Sequence, residues 1–132
     1  MPPAVLLVDD EPNILHELAR ALRQQPLGIY TAKSAEEAMW VFKTRHVDVI
    51  VADQRMPGLS GTDLLVWVAG HYPETIRILL TGHASVDTAV RAVNDAAVYK
   101  FFLKPCKEFD LAMAIRQALE QRNQRAGNLE RV

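Results

Sequence analysis

Five side chains in this sequence have the types and placement to do chemistry together: Asp9, Asp10, Asp53, Thr81 and Lys104. Each follows or closes an apolar run. Asp9-Asp10 follow Ala4-Val5-Leu6-Leu7-Val8, and Asp53 follows Val49-Ile50-Val51-Ala52. Thr81 follows the run ending at Leu80, and Lys104 the run ending at Leu103. Taken alone, Asp53 before Met56-Pro57-Gly58 reads as a residue that opens a turn, since Asp is common at such exits. Taken together, three carboxylates, a hydroxyl and an ammonium imply a charged site. Carboxylates crowded without a cation raise one another's pKa values. A hard cation such as Mg²⁺ is held by such oxygens and keeps open positions. Asp53 could then attack phosphorus through its second oxygen and form an acyl phosphate. Thr81 would donate to one phosphoryl oxygen, and Lys104 would pair with another. Phosphoryl transfer asks mainly for positioning and charge neutralisation.

The elements that must position these groups alternate along the chain. The runs Ala4 to Val8, Leu27 to Ala32, Asp48 to Asp53, Thr75 to Leu80 and Val98 to Leu103 read as strands. Those rich in β-branched residues suit a sheet buried on both faces. Helical spacing falls between them. Ile14, Leu15, Leu18 and Leu22 follow Pro12, which fits a first helical turn. Ser34 with Glu37 predicts a capping box for a helix buried through Ala35, Ala38, Val41 and Phe42. Ser60 or Gly61 starts a helix with Leu64, Leu65 and Val68 inward. Ser85 caps a fourth helix, with Val86, Ala89, Val90 and Val93 expected to face inward. Phe109, Ala112, Ile115 and Leu119 carry a fifth. Strand-helix alternation predicts an α/β fold, a doubly wound parallel sheet of five strands. Right-handed crossovers put every strand C-terminus on one edge, so the five side chains meet there.

The chain has 132 residues, which sets the expectation of a single core. The domain is expected over 1–122, and residues 123–132 read as a polar C-terminal tail or the start of a linker, because the apolar stripe fades after Leu119. Lys plus Arg number 15 against 16 for Asp plus Glu. That balance argues against direct nucleic acid binding, which needs an excess of cations on one face. With one cysteine, Cys106, no internal disulfide can form. No apolar run approaches the ~20 residues of a membrane span, and the first residues lack the pattern of a signal peptide. A cytoplasmic protein is the expectation.

Val8-Asp9-Asp10-Glu11, Asp53 with Met56-Pro57-Gly58 and Gly61, Thr81-Gly82, and Phe102-Leu103-Lys104-Pro105 together resemble the signature of response regulator receiver domains of two-component signalling. The resemblance extends from about Ala4 to Leu119. It implies a flavodoxin-like (βα)5 sheet of order 2-1-3-4-5. It implies Asp53 as phospho-acceptor, a sensor histidine kinase as donor, and Mg²⁺ on Asp10, Asp53 and the main-chain carbonyl of Arg55, with Asp9 acting through a metal-bound water. It implies a cis bond before Pro105 that aims Lys104 at the phosphate. Thr81 and Phe101, three residues before the lysine, would be the switch pair, with Tyr99 a weaker candidate. Arg55 and His83, two residues after the acceptor and two after the threonine, would tune the phosphate lifetime. The fourth helix, fifth strand and fifth helix would form the output surface, possible site of a homodimer, and would act on either a C-terminal output domain or a separate downstream protein. The run from Asp53 to Gly58 with Phe101 to Pro105 also looks like receivers attached to signalling enzymes such as cyclic-dinucleotide phosphodiesterases.

Other readings are weaker. His16, His46, His71 and His83 lack zinc-site spacing. Cys106 has no evident base. No phosphate-binding glycine motif follows the first strand. Trp40 lies off its helix's inner stripe and is expected to be half-buried. A Mg²⁺-dependent phosphatase passing through an aspartyl phosphate commonly carries a second acid two residues after its nucleophile, where this chain has Arg55. A degenerate receiver acting only as a binding module is disfavoured by the intact set of five.

Overall fold

The protein is described here by a computed structural model covering residues 2–82 and 85–130. Strands β1 (Ala4–Val8), β2 (Gly28–Ala32), β3 (Val49–Asp53), β4 (Ile76–Thr81) and β5 (Lys100–Leu103) alternate with helices α1 (Pro12–Leu22), α2 (Ala35–Thr44), α3 (Gly61–His71), α4 (Val86–Asn94) and α5 (Glu108–Glu130). All neighbouring strands pair in parallel. The sheet order is β2-β1-β3-β4-β5, as the resemblance implied.

Period-two alternation along each strand divides the core into two layers. Leu6, Val8, Ile50, Ala52 and Leu79 meet Ala38, Phe42, Leu64, Leu65 and Val68 from α2 and α3. Val5, Leu7, Val49, Val51, Ile78 and Leu80 meet Leu15, Ala19, Leu22, Leu111, Ile115 and Leu119 from α1 and α5. Each buried Val, Leu, Ile or Phe among them contributes about 1.5–3 kcal/mol relative to exposure. Both faces of the central strands are covered, which is why they read as unbroken apolar runs.

One inward stripe expected from spacing is corrected, and the start of another. On α4, Val86 is 79% exposed, Val90 50% and Val93 63%, while Ala92 is fully buried. The helix packs through its small side, with Ala92 inward, and Arg91 reaches Asp63 of α3 at 2.6 Å. Spacing marks a stripe but not the side on which the sheet lies. On α5, Ile115 and Leu119 are buried as expected, with Leu111, Ala114 and Ala118 beside them, while Phe109 is 72% exposed. Trp40 is also more open than expected, at 64%. β5 begins at Lys100 rather than Val98, after a turn at Ala97 with φ 47°.

Helix α5 continues to Glu130, through residues that read as a tail. Part of the reason lies at the sheet edge opposite the strand C-termini. Asp48, 8% exposed, accepts from the Ala4 N–H at 2.8 Å and from Arg122 on α5 at 2.8 Å, with His46 at 3.1 Å. Burial pushes its carboxyl pKa up, but the bonds from Ala4, Arg122 and His46 outweigh burial and hold it below the usual value. A depressed folded pKa means stability that is present above the unfolded value of about 3.9 and lost as pH falls through the folded one. Asp48→Asn is therefore expected to cost about 1–3 kcal/mol at neutral pH, and the gap from the parent should close under acid. Urea unfolding at neutral and acid pH checks both; a gap that is the same at the two pH values would contradict the assignment.

Candidate functional site

The carboxyl ends of β1, β3, β4 and β5 bring the five expected side chains to one edge. Asp9 is 2% exposed; its main-chain N–H donates to Ala32 of β2 at 3.1 Å, and its Oδ1 accepts the Glu11 N–H at 3.0 Å. Asp10 stands exposed at the mouth of the cleft. Asp53 ends β3 at 6% exposure, its Oδ1 2.6 Å from Lys104 Nζ. The same Nζ lies 3.3 Å from Asp9 Oδ2. Thr81 is the last residue of β4 rather than the first after it, is 1% exposed, and lines the cleft. Its carbonyl accepts the Lys104 N–H at 2.8 Å, which fastens the lysine beside the threonine. The Lys104–Pro105 bond is cis.

One ammonium faces three carboxylates, so negative charge is left over. Burial pushes the Asp53 carboxyl pKa up, and the charges of Asp9 and Asp10 add to this, against the pull of Lys104. Burial works against the Lys104 ammonium, yet Asp53 and Asp9 outweigh it and raise its pKa. Asp9, Asp10 and Asp53 each offer an oxygen within 4.8 Å of the others. An all-oxygen set with excess negative charge fits a hard divalent cation. Bound there, it would invert the electrostatics that raise the pKa of Asp53.

The other expected residues take the following places. Arg55 is exposed and lines the cleft beside Met56 and Pro57. Phe101 is half-buried against the α2–α3 layer, beside Leu79 of β4, while Tyr99 is 38% and Leu103 57% exposed. Phe102 packs in the opposite layer, with Lys100 Nζ 5.4 Å from its ring. His83 lies outside the described residues. His71 stacks on Trp67 and His46 meets Asp48, so neither belongs to the site. Burial, with Asp110 and Glu108, pushes the Cys106 thiol up, away from a nucleophile's range.

Sequence reading missed what holds the β3–α3 loop. Gly61 packs so tightly that a Cβ there would collide with the carbonyl of Asp53. Ser60 and Asp63 form a full capping box on α3. Gln54 bonds to Thr62 through its side chain. The Ser60-x-x-Asp63 spacing was a readable signal; Gln54 carried none, because its partner lies eight residues on.

Residues 5–116 match the family described as the response regulator receiver domain. The chain is 38% identical over 116 residues to the hydrogenase transcriptional regulatory protein HoxA of Cupriavidus necator, a match covering 88% of this chain and 24% of HoxA. It is 35% identical over 120 residues to the transcriptional regulatory protein GlrR of Escherichia coli, covering 91% of this chain and 27% of GlrR. The chain thus spans about a quarter of the length of these curated relatives. Among solved structures, the signal receiver domain of an HD domain-containing protein from Pseudomonas fluorescens Pf-5 has a TM-score of 0.90 at 33% identity, covering 94% of this chain and 99% of that one. The structure of an adenylate cyclase from Rhodopirellula baltica has a TM-score of 0.88 at 32% identity, covering 98% of this chain and 96% of that one.

Proposed function

The chain belongs to the response regulator receiver domain family, and from that premise we propose that Asp53 is the residue phosphorylated, by a sensor histidine kinase, in a phosphorylation-dependent signalling switch. The observation that carries this is the meeting of Asp53 with Lys104 at 2.6 Å inside a cluster of three carboxylates. Asp9, Asp10, Asp53 and the main-chain carbonyl of Arg55 would hold Mg²⁺, which when bound supplies positive charge to phosphoryl oxygens. A carboxylate oxygen of Asp53 attacks phosphorus; the bond from phosphorus to the donor nitrogen breaks, and the imidazole leaves with that electron pair. Lys104 shifts from Asp53 to the arriving phosphoryl group. Thr81 donates its hydroxyl to another oxygen, and Phe101 follows it inward.

Members of this family act as phospho-acceptors rather than as conventional enzymes. For this chain the chemistry is limited to its own phosphorylation and dephosphorylation, with Arg55 and His83 tuning the second. Arg55 supports this over the phosphatase reading, since it stands where such an enzyme would carry its second acid. Incubation with Mg²⁺ and a small phospho-donor, followed by intact mass, tests the proposal. One added phosphoryl group is expected. Multiple turnover on external phosphoesters would favour the phosphatase, and no adduct would favour a binding module.

The readout is the surface of α4, β5 and α5. Val86, Val90, Val93, Tyr99, Leu103, Phe109 and Met113 leave large apolar side chains exposed on these elements and on the turn before β5. Exposed apolar patches of this kind mark interaction sites. A homodimer formed through this surface on phosphorylation, acting on either an attached output domain or a separate downstream protein, completes the reading. Sedimentation should show dimer on addition of a phosphate mimic, and Val90→Lys should keep the protein monomeric; an unchanged monomer throughout would remove the dimer. Among the described residues no helix is long and apolar enough to cross a membrane, and the proposed setting is the cytoplasm.

A further inference from the structure

The loop from Gln54 to Ser60 joins Asp53 to α3, and one side chain fastens its two ends together. The Gln54 N–H donates to the carbonyl of Leu80 on β4 at 2.8 Å, and the Gln54 carbonyl accepts from the Gly61 N–H at 3.0 Å. Its side-chain Oε1 accepts twice from Thr62, from the N–H at 2.8 Å and from the hydroxyl at 2.5 Å. Ser60 Oγ accepts the Asp63 N–H at 3.1 Å. The first turn of a helix leaves N–H groups without internal partners. In α3 the first three are all satisfied, two of them by the residue that directly follows Asp53. Thr62 is 1% exposed, so its hydroxyl has no easy recourse to solvent.

We propose that Gln54 is a positioning residue of the acidic site: its clasp on Thr62 holds the segment beginning at Arg55 against the carboxylates and thereby sets the affinity of the site for Mg²⁺. The inference rests on the reading of the acidic cluster as a Mg²⁺ site. Between Asp53 and Gly61 the chain has no regular structure of its own. Arg55, whose main-chain carbonyl is the fourth proposed ligand, is attached directly to Gln54. With the clasp in place, the main chain on both sides of this stretch is pinned, to β4 by the Gln54 N–H and to α3 by its carbonyl and side chain. Without it, the loop is held at Gln54 by main-chain bonds alone, and the carbonyl must be ordered when the cation arrives. Partners that orient metal ligands in this way typically change affinity by about ten- to a hundred-fold.

A merely structural clasp would change unfolding and leave the affinity of the folded protein alone. The test titrates Mg²⁺ alone into the wild type, Gln54→Met, Thr62→Val, Thr62→Ser and the Gln54→Met/Thr62→Val double variant, by calorimetry, with urea unfolding of each. Gln54→Met keeps the side chain's length but cannot accept strongly; Thr62→Ser keeps the hydroxyl. Gln54→Met is expected to weaken Mg²⁺ binding about ten-fold, the lower end of that range. Thr62→Val should weaken it less, and Thr62→Ser should stay close to the wild type. The double variant should match Gln54→Met, because both changes remove one device. Wild type that fails to bind Mg²⁺ would overturn the metal reading and this inference with it. Wild type that binds, with folded Gln54→Met and Thr62→Val binding equally well, would overturn the clasp alone. If Gln54→Met does not fold, Thr62→Val against Thr62→Ser decides.

Discussion

Asp53→Asn is expected to reduce phosphoryl uptake to background. The amide nitrogen and oxygen of Asn are poor nucleophiles beside a carboxylate, and no neighbouring acid can replace it in place. Asp9 is buried with one oxygen engaged by the Glu11 N–H and the other by Lys104, and Asp10 stands at the exposed mouth. The mass measurement should therefore show the added group on the wild type and none on the variant. The substitution also removes a charge that burial and two carboxylate neighbours disfavour. Without metal, the variant's stability should accordingly hold or rise. With Mg²⁺ the order reverses: a ligand at a hundred times its Kd adds about 2.7 kcal/mol to whatever binds it, and the variant lacks one of the three carboxylates. Phosphorylation persisting in Asp53→Asn, or equal Mg²⁺ stabilisation of both proteins, would defeat the assignment.

Gly61→Ala is expected to have the largest effect on stability. A Cβ at this position would overlap the carbonyl oxygen of Asp53, with the carbonyl carbon at 2.8 Å and Gln54 Cα at 3.0 Å. These are main-chain atoms at the end of a central strand, so no side chain can rotate to make room. Overpacking a rigid site costs about 1–3 kcal/mol, occasionally more. The upper end applies here because α3 must lift from β3 as a unit. That displacement would stretch the Gly61–Gln54 bond and move Asp53 itself, so phosphorylation should slow in the folded fraction too. Denaturant midpoints and phosphorylation rates, compared with the wild type, measure the two effects. A stability change within about 0.5 kcal/mol, the range of neutral surface changes, would mean that the packing at Gly61 is looser than described.

The meeting of the five side chains was legible because each one stands where an apolar run gives way to a charge or hydroxyl. A strand buried on both faces must be apolar up to its end, so any polar group at the exit is conspicuous. The same logic read the helices of the deep layers well: Ala38 and Phe42 on α2, and Leu64, Leu65 and Val68 on α3, all are buried. It failed on α4 and at the start of α5. Val86, Val90 and Val93 have the spacing of a core stripe, yet the core is reached through Ala92. Hydrophobic periodicity reports that one side of a helix is apolar; it does not say whether the sheet or a partner covers that side. Phe109 misled for the same reason. The helical tail past Leu119 was missed because its apolar pattern had faded, while Arg122 had a buried carboxylate, Asp48, waiting 74 residues earlier.

The sequence by itself determined the fold class, the sheet edge that carries the proposed site, and the five side chains gathered there, since strand-helix alternation and right-handed crossovers put every strand C-terminus on that edge. Only the tertiary structure decided how those groups face one another: Lys104 between Asp53 and Asp9, Thr81 drawn into the end of β4, Gly61 pressed against the Asp53 carbonyl, and Gln54 turned to Thr62. It also decided that the valines of α4 face outward. The reason is physical. Periodicity and exit residues are local properties carried by consecutive positions, whereas a hydrogen bond or close approach between distant positions exists only after the chain has been folded back on itself.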